Sequence, residues 1–138
     1  MTHREAADCE AVRRLSSVVA LYTASALTAA WGIAHLFATR GAVAGFGEIS
    51  PDNRRVITME WIVEGVALIS IGAFVAVAAA LEPTSVVSAG VNAVAVGALL
   101  GLAVVSLFTG FRVAFLPYRL CPFIFGLSAA LIAWGTWG

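Results

Sequence analysis

The sequence predicts an all-α integral membrane protein, a bundle of four transmembrane helices. Two observations support this prediction. First, the 138 residues are 61% hydrophobic and only 12% charged, whereas soluble domains are about half apolar with about a quarter of their residues charged. Second, hydropathy divides the chain into four apolar stretches, each near the roughly 20 residues that a helix needs to cross a bilayer. These stretches lack the strict polar/apolar alternation of a membrane β-barrel.

The first two spans are separated by a polar loop. Residues 1–14 are polar, and we interpret them as a tail at the membrane surface, followed by a single transmembrane domain over 15–138. We place the first span at about 16–39, where it ends before Arg40. The loop that follows is predicted to turn at five residues of turn-forming types, Gly45, Gly47, Pro51, Asp52 and Asn53. The second span is placed at 56–81.

The last two spans have shorter connections. The second span ends where a proline interrupts the helix, and Thr84 or Ser85 can then cap the third span, placed at 86–109. A short segment leads to the fourth span at 121–137. Pro122 suits the first turn of that helix, because a first-turn residue needs no N–H donor.

Small residues recur at helical spacing in three of the spans, where they allow helix backbones to approach closely. We expect these residues to form the contacts within the bundle. They are Ala26, Ala30, Ala34 and Ala38 in the first span, Gly72, Ala76 and Ala80 in the second, and Ala93, Gly97 and Gly101 in the third. Asn92 is predicted to form a hydrogen bond between helices at the opposite end of the bundle from the candidate site.

Charge composition limits the partners and the location. The chain has eight arginines, eight acidic residues and no lysine, so it offers no basic excess for nucleic acid. The absence of lysine indicates a GC-rich bacterial genome, and we expect a multi-pass protein of the inner, cytoplasmic membrane. The first and third loops hold five arginines and the N-terminal tail three, which favours these loops on the cytoplasmic side.

The two cysteines give no evidence of a metal or redox site. Cys9 and Cys121 are the only cysteines, and the four-span topology puts them at opposite membrane faces, where they cannot form a disulfide within the chain. No Cys and His spacing typical of a zinc site occurs, so no metal is predicted. We interpret Cys121 as an apolar residue at the start of the last helix.

The candidate site is a pair of carboxylates within an apolar stretch. Glu60 and Glu64 are four residues apart in the second span, and such positions share a helix face. A carboxylate in hydrocarbon costs about 2.5–3.5 kcal/mol and is commonly functional. His35 lies near the end of the first span, so an antiparallel hairpin brings it next to Glu60. We predict these three as catalytic acid and base groups, with Glu64 neutral and Glu60 the ionised partner of His35 or Arg112.

Other side chains converge on the same end of the bundle. Thr28 and Trp31 share a helix face with His35, and Ser106 and Thr109 could add polar contacts. Trp61 is expected on another face, in the headgroup belt where tryptophan is enriched. The predicted ligand-binding residues are Thr28, Trp31, Arg112, Tyr118 and Arg119.

The chain also resembles a known family. Its length, its Gly-rich first loop and the polar residues His35 and Glu60 at one bundle end are similar to those of the DoxX-like group of small four-helix bacterial membrane proteins. This resemblance covers most of the chain and is one of architecture. Members of the group look like accessory membrane subunits of quinone-linked or redox systems, so the resemblance implies such a role. It assigns no catalytic residue.

Three classes of function remain open. In the first, the site binds a lipophilic molecule such as a quinone, an isoprenoid or a lipid, and an enzyme of this kind would be an acid/base isomerase, hydrolase or cyclase. The second is a non-catalytic accessory subunit of a membrane redox or other complex. The third is a small proton-coupled transporter, which is disfavoured because the site lies away from the bilayer midplane.

Cofactors and partners follow from these alternatives. A quinone fits the first class, and a haem would take His35 as its axial ligand. Besides the lipid bilayer and a lipophilic small molecule, we expect either a second copy of the chain or a membrane partner subunit. A structural pairing of the buried ionisable groups is the alternative to all of these functional interpretations.

Overall fold

The structure is a computed structural model that describes residues 3–113 and 116–138. Within these ranges the chain forms four helices and no strand. All four are long and apolar enough to cross a membrane, which confirms the predicted class, a four-helix membrane bundle. The helices are α1 (His3–Ala44), α2 (Pro51–Leu81), α3 (Val86–Phe108) and α4 (Leu116–Trp137).

Helix α1 is longer than the predicted span at both ends. From His3 the polar stretch is already helical and joins the apolar stretch without a break. Glu10 forms ion pairs there with Arg13 at 3.0 Å and Arg14 at 2.8 Å, a spacing that stabilises a helix. At its other end α1 continues through Gly41 to Ala44. One glycine costs a helix only about 1 kcal/mol, which is too little to end it.

The first loop is correspondingly short, and its last residues belong to α2. Ser50 caps that helix by accepting a hydrogen bond from the backbone N–H of Asn53 at 3.2 Å, and Pro51 occupies the first turn. Our prediction that Pro51, Asp52 and Asn53 form a turn is therefore wrong. A serine followed by proline is a helix-start pattern. Gly47 turns the loop with a φ of 69°, a conformation that favours glycine.

The two later helices begin differently from one another. Ser85 caps α3, because its hydroxyl accepts from the backbone N–H of Ser88 at 3.1 Å, so one of the two predicted caps is confirmed. Helix α4 begins at Leu116, earlier than predicted. Pro122 therefore lies inside the helix and not in its first turn, where it leaves one backbone carbonyl of the preceding turn without its usual donor.

The helices pack in a ring in which each contacts two neighbours. Helix α1 packs on α2 and α4, and α3 packs on α4 and, least extensively, on α2. Large side chains from all four helices fill the centre. Those almost fully buried are Leu21, Leu68, Val75, Leu99, Phe125 and Ile132. The outer surface is rich in exposed apolar side chains, such as Phe37 at 85% and Val86 at 89%, as expected for a surface that faces lipid.

Glycines bring α1 and α2 into close contact. A Cβ atom on Gly32 would lie 2.6 Å from the carbonyl oxygen of Gly65, and one on Gly72 would lie 2.7 Å from that of Ser25. The Ser25 hydroxyl also donates to the Gly72 carbonyl at 2.6 Å. The predicted role of Gly72 in helix contact is therefore confirmed.

The other predicted small-residue faces are mostly directed outward. Ala26, Ala30 and Ala34 are exposed, as are Ala93, Gly97 and Gly101. A Cβ atom on Gly97 or Gly101 would meet nothing within 4 Å. The prediction that these residues pack the bundle is wrong, because helical spacing identifies a common face without identifying which side of the helix meets its neighbours.

Candidate functional site

A cavity of about 380 Å³ lies at the end of the bundle where the first and third loops meet. This volume is within the range of small-molecule sites, about 300–1,000 Å³. Apolar side chains such as Leu102 and Val105 form part of its wall. The side chains lining it that carry polar or ionisable groups are His35, Glu64, Ser106, Thr109, Tyr118 and Cys121.

His35 and Glu64 form the polar centre of this cavity. His35 is only 5% exposed, and its Nε2 lies 3.7 Å from Oε1 of Glu64, whose side chain is 35% exposed. The other ring nitrogen, Nδ1, is 2.9 Å from the carbonyl oxygen of Trp31. Because a carbonyl can only accept a hydrogen bond, Nδ1 must be the donor in this contact. The imidazole therefore directs Nε2 towards Glu64.

At 3.7 Å the two groups are within ion-pair distance but are farther apart than in a direct hydrogen bond. With Nδ1 protonated, a neutral His35 presents a lone pair on Nε2 to the carboxyl group, and a charged His35 presents an N–H to a carboxylate. The two states differ only in the position of one proton. Such a pair can give a proton to a bound molecule or take one from it.

Aromatic rings fix the orientation of the imidazole. The Trp31 ring contacts His35 edge-on with centroids 5.7 Å apart, and Trp61 lies across it at 5.1 Å with an interplanar angle of 30°. Tyr118 contacts Trp61 edge-on at 5.4 Å. Our expectation that Trp61 points to the headgroup belt is wrong. Its side chain is 7% exposed because it lies on the inward face of α2 with Gly65 and Leu68.

Glu60 is not part of this cluster. It is exposed, does not line the cavity and has no ion pair among the residues that the structure describes. The predicted pairing of Glu60 with His35 is therefore wrong, and Glu64 occupies that place. Glu60 lies about 100° around the helix from the inward-facing Trp61, whereas Glu64 lies only about 60° from it, and Glu60 is also about 6 Å nearer the first loop along the helix axis. Whether Glu64 is the neutral acid stays a prediction.

The predicted ligand-binding residues divide into two groups. Tyr118 lines the cavity, and Trp31 contacts His35. Thr28 is buried, but its hydroxyl donates to the Ala24 carbonyl at 2.8 Å within α1. Arg112 and Arg119 are exposed and do not line the cavity.

Sequence reasoning missed several residues of the cavity. From the sequence we interpret Cys121 as an apolar residue at a helix start, yet α4 begins earlier, and the Cys121 thiol is buried at the cavity wall. Its spacing of three from Tyr118 places both on one helix face and could have indicated this. Phe46, Leu102, Val105 and Val113 also line the cavity. Apolar residues in an apolar chain give no comparable signal.

The opposite end of the bundle has a polar contact of its own. Asn92 is completely buried, and its side-chain N–H donates to the Thr136 hydroxyl at 3.0 Å. This contact joins α3 to α4 and confirms the predicted hydrogen bond between helices. It is remote from His35 and takes no part in the candidate site.

Comparison with known proteins found no matching family model, curated protein or solved structure. The fold and site themselves define a class: a multi-pass, four-helix membrane protein with a His–Glu pair lining a cavity at one end. Within the residues that the structure describes, no group of three or more metal-ligating side chains occurs.

Proposed function

We propose that the protein binds a lipophilic small molecule that carries an oxygen-bearing head group, and that His35 and Glu64 exchange a proton with this group. The observation that best supports the proposal is the His35–Glu64 pair itself, which borders a cavity in an otherwise apolar bundle. A purely structural ion pair needs no adjacent cavity, and burial without a ligand brings a desolvation cost.

A quinone is the head group that best fits this cavity. Its ring oxygens can accept hydrogen bonds from a protonated His35–Glu64 pair, and its flat ring matches a site of about 380 Å³ that Phe46 and Tyr118 border. A haem is less favoured, because Nε2 of His35, the nitrogen free to act as an axial ligand, already faces Glu64 at 3.7 Å. An enzyme at this site would be an isomerase, hydrolase or cyclase that protonates a carbonyl, epoxide or alkene.

A second candidate is a non-catalytic accessory subunit of a complex in the bacterial inner membrane, as the DoxX-like resemblance implies. Glu60 favours this candidate, because it is an exposed carboxylate on the outer face of an apolar helix. A carboxylate facing lipid is costly, and a partner helix with a cationic or hydrogen-bonding side chain would reduce that cost. Under this proposal, a partner subunit should co-purify with the wild-type protein from a native membrane extract. The Glu60→Leu variant should lose that partner.

Quenching of tryptophan fluorescence tests the ligand proposal directly. Trp134 and Trp137 are exposed near the end of α4, so a Trp134→Phe, Trp137→Phe background leaves the fluorescence of Trp31 and Trp61 to report on the site. In phosphatidylcholine vesicles, a benzoquinone carrying a ten-carbon alkyl chain should quench this fluorescence with a saturable dependence on concentration. Glu64→Leu should lower the affinity for this benzoquinone by about ten- to a hundredfold. A decrease of that size corresponds to the loss of one hydrogen bond to a charged group.

Glu60→Leu is the matched control, since it makes the same change one turn away on the outward face of α2. It should leave the affinity for the benzoquinone unchanged. Quenching that rises linearly without saturation, or that falls equally in the two variants, would contradict the proposed site.

A further inference from the structure

A second, entirely apolar groove lies between α2 and α3. Its volume is about 430 Å³, and it is bordered by Ile71 and Phe74 on α2 and by Gly90, Val94 and Ala98 on α3. No side chain that lines it contains a polar atom. Phe74 and Val94 stand at its edges with 65% and 74% of their surfaces exposed. The groove therefore opens towards the lipid and offers only van der Waals contact.

The groove and the His35–Glu64 cavity lie along the same pair of helices. Ile71 follows Glu64 by about two turns of α2, which returns the chain to the same face. On α3 the residues that line the groove lead directly into those that line the cavity. Val94, Ala98, Leu102 and Val105 follow one another at spacings of three or four residues and form one stripe.

The distances along this stripe match a single elongated molecule. Ala98 and Leu102 are one turn apart, which is about 6 Å, and the groove extends about 12 Å along α3 from Gly90 to Ala98. If a head group binds at His35 and Glu64, the chain attached to it therefore enters the groove at the end formed by Ala98. The α2–α3 contact is also the least extensive in the bundle, which leaves room for a chain to lie between these helices.

We infer that the ligand is an amphiphile with an aliphatic or isoprenoid tail, whose head group occupies the His35–Glu64 cavity and whose tail lies in the α2–α3 groove. This inference rests on the proposed function, because it takes the head-group site as given. The groove adds tail length as a determinant of specificity. Inside a bilayer the tail gains no hydrophobic transfer energy on binding, so its contribution comes from close packing against the groove wall.

Two glycines of α3 provide a matched pair of variants. A Cβ atom on either Gly90 or Gly97 would meet nothing within 4 Å, so a side chain can be attached at both positions without a clash at Cβ. Gly90 borders the groove, whereas Gly97 does not. Gly90→Leu therefore fills the groove, and Gly97→Leu adds the same side chain to the same helix outside it.

The test compares two benzoquinones in phosphatidylcholine vesicles, one without a side chain and one with a ten-carbon chain that ends in a photoreactive diazirine. After correction for partitioning into the lipid, the tailed compound should bind the wild-type protein about tenfold more tightly than the tailless one. Gly90→Leu should abolish that difference and leave the affinity of the tailless compound unchanged. Gly97→Leu should retain the difference, and illumination of the wild type should label Phe74 and Val94.

The outcomes separate this inference from the proposed function. If neither benzoquinone binds with saturation, the head-group site itself is wrong. If both bind with equal affinity and Glu64→Leu weakens both, the head-group site stands and the tail groove is overturned. Labelling that a diazirine-bearing phospholipid reproduces equally well would show ordinary bilayer chains in the groove. If the labelling of Phe74 and Val94 decreases as the protein-to-lipid ratio rises, a second copy of the chain covers the groove. Either result overturns the inference.

Discussion

Nε2 of His35 lies 3.7 Å from Oε1 of Glu64, and this contact joins α1 to α2 at the cavity. The hydrogen bond from Nδ1 to the Trp31 carbonyl, 2.9 Å long, determines which nitrogen faces the carboxyl group. Under the proposed function, the backbone of α1 thereby sets the direction in which the pair would deliver a proton to a ligand in the cavity that His35 and Glu64 line.

The hydrogen bond to Trp31 predicts the tautomer of His35. In its neutral state the proton should reside on Nδ1, whereas the isolated side chain has no such constraint. Nitrogen-15 NMR of a His3→Gln variant, in which His35 is the only histidine, measures this directly. Detection of the tautomer protonated on Nε2 would contradict the assigned orientation of the ring.

The close approach of α1 and α2 predicts a strong position dependence for glycine substitutions. Gly32→Ala places a methyl group 2.6 Å from the Gly65 carbonyl oxygen, so the helices must separate, and we expect a loss of about 1–3 kcal/mol in the free energy of unfolding. Gly97→Ala is the control, because it faces open space and gains helix propensity. Unfolding in mixed micelles measures both variants, and equal stabilities would refute the packing of this contact.

The four-helix topology predicts which exposed positions share a side of the membrane. The arginine distribution predicts the first and third loops on the cytoplasmic side, so in sealed right-side-out vesicles Cys9 and a cysteine introduced as Thr84→Cys should both react with an added membrane-impermeant maleimide. Glu48→Cys, in the first loop, should be protected and should react only after the vesicles are opened. Each position is exposed, and Cys9→Ala removes the background in the two variants. Labelling of residues 48 and 84 from the same side would contradict a four-span arrangement.

The Asn92–Thr136 hydrogen bond predicts a small energetic coupling despite its burial. Hydrogen bonds between membrane helices contribute about 0.6 kcal/mol on average and at most about 1.7 kcal/mol. A double-mutant cycle with Asn92→Leu and Thr136→Val should therefore give a coupling energy in that range. A value near zero would show that the contact at 3.0 Å does not stabilise the folded state.

The sequence by itself determined the fold class and the end of the bundle at which the candidate site lies. Long apolar stretches require helices, because only a helix satisfies its own backbone hydrogen bonds in lipid. The ionisable residues His35 and Glu64 stood out for the related reason that they are costly in an apolar chain. A cap at Thr84 or Ser85 was likewise predictable, because capping depends on neighbouring residues alone, and the structure shows that Ser85 provides it.

Only the tertiary structure decided which side chains meet. Glu60 and Glu64 are equivalent in composition and spacing, yet Glu64 alone faces His35, because the register of the α1–α2 hairpin depends on how Gly32 and Gly65 pack. The same register directs Trp61 inward, whereas the packing of α3, chiefly against α4, leaves Gly97 facing outward. In a chain that is apolar on every side, hydrophobic patterning cannot distinguish the face that packs from the face that meets lipid. Close contact between helices makes that distinction, and it exists only once they are assembled.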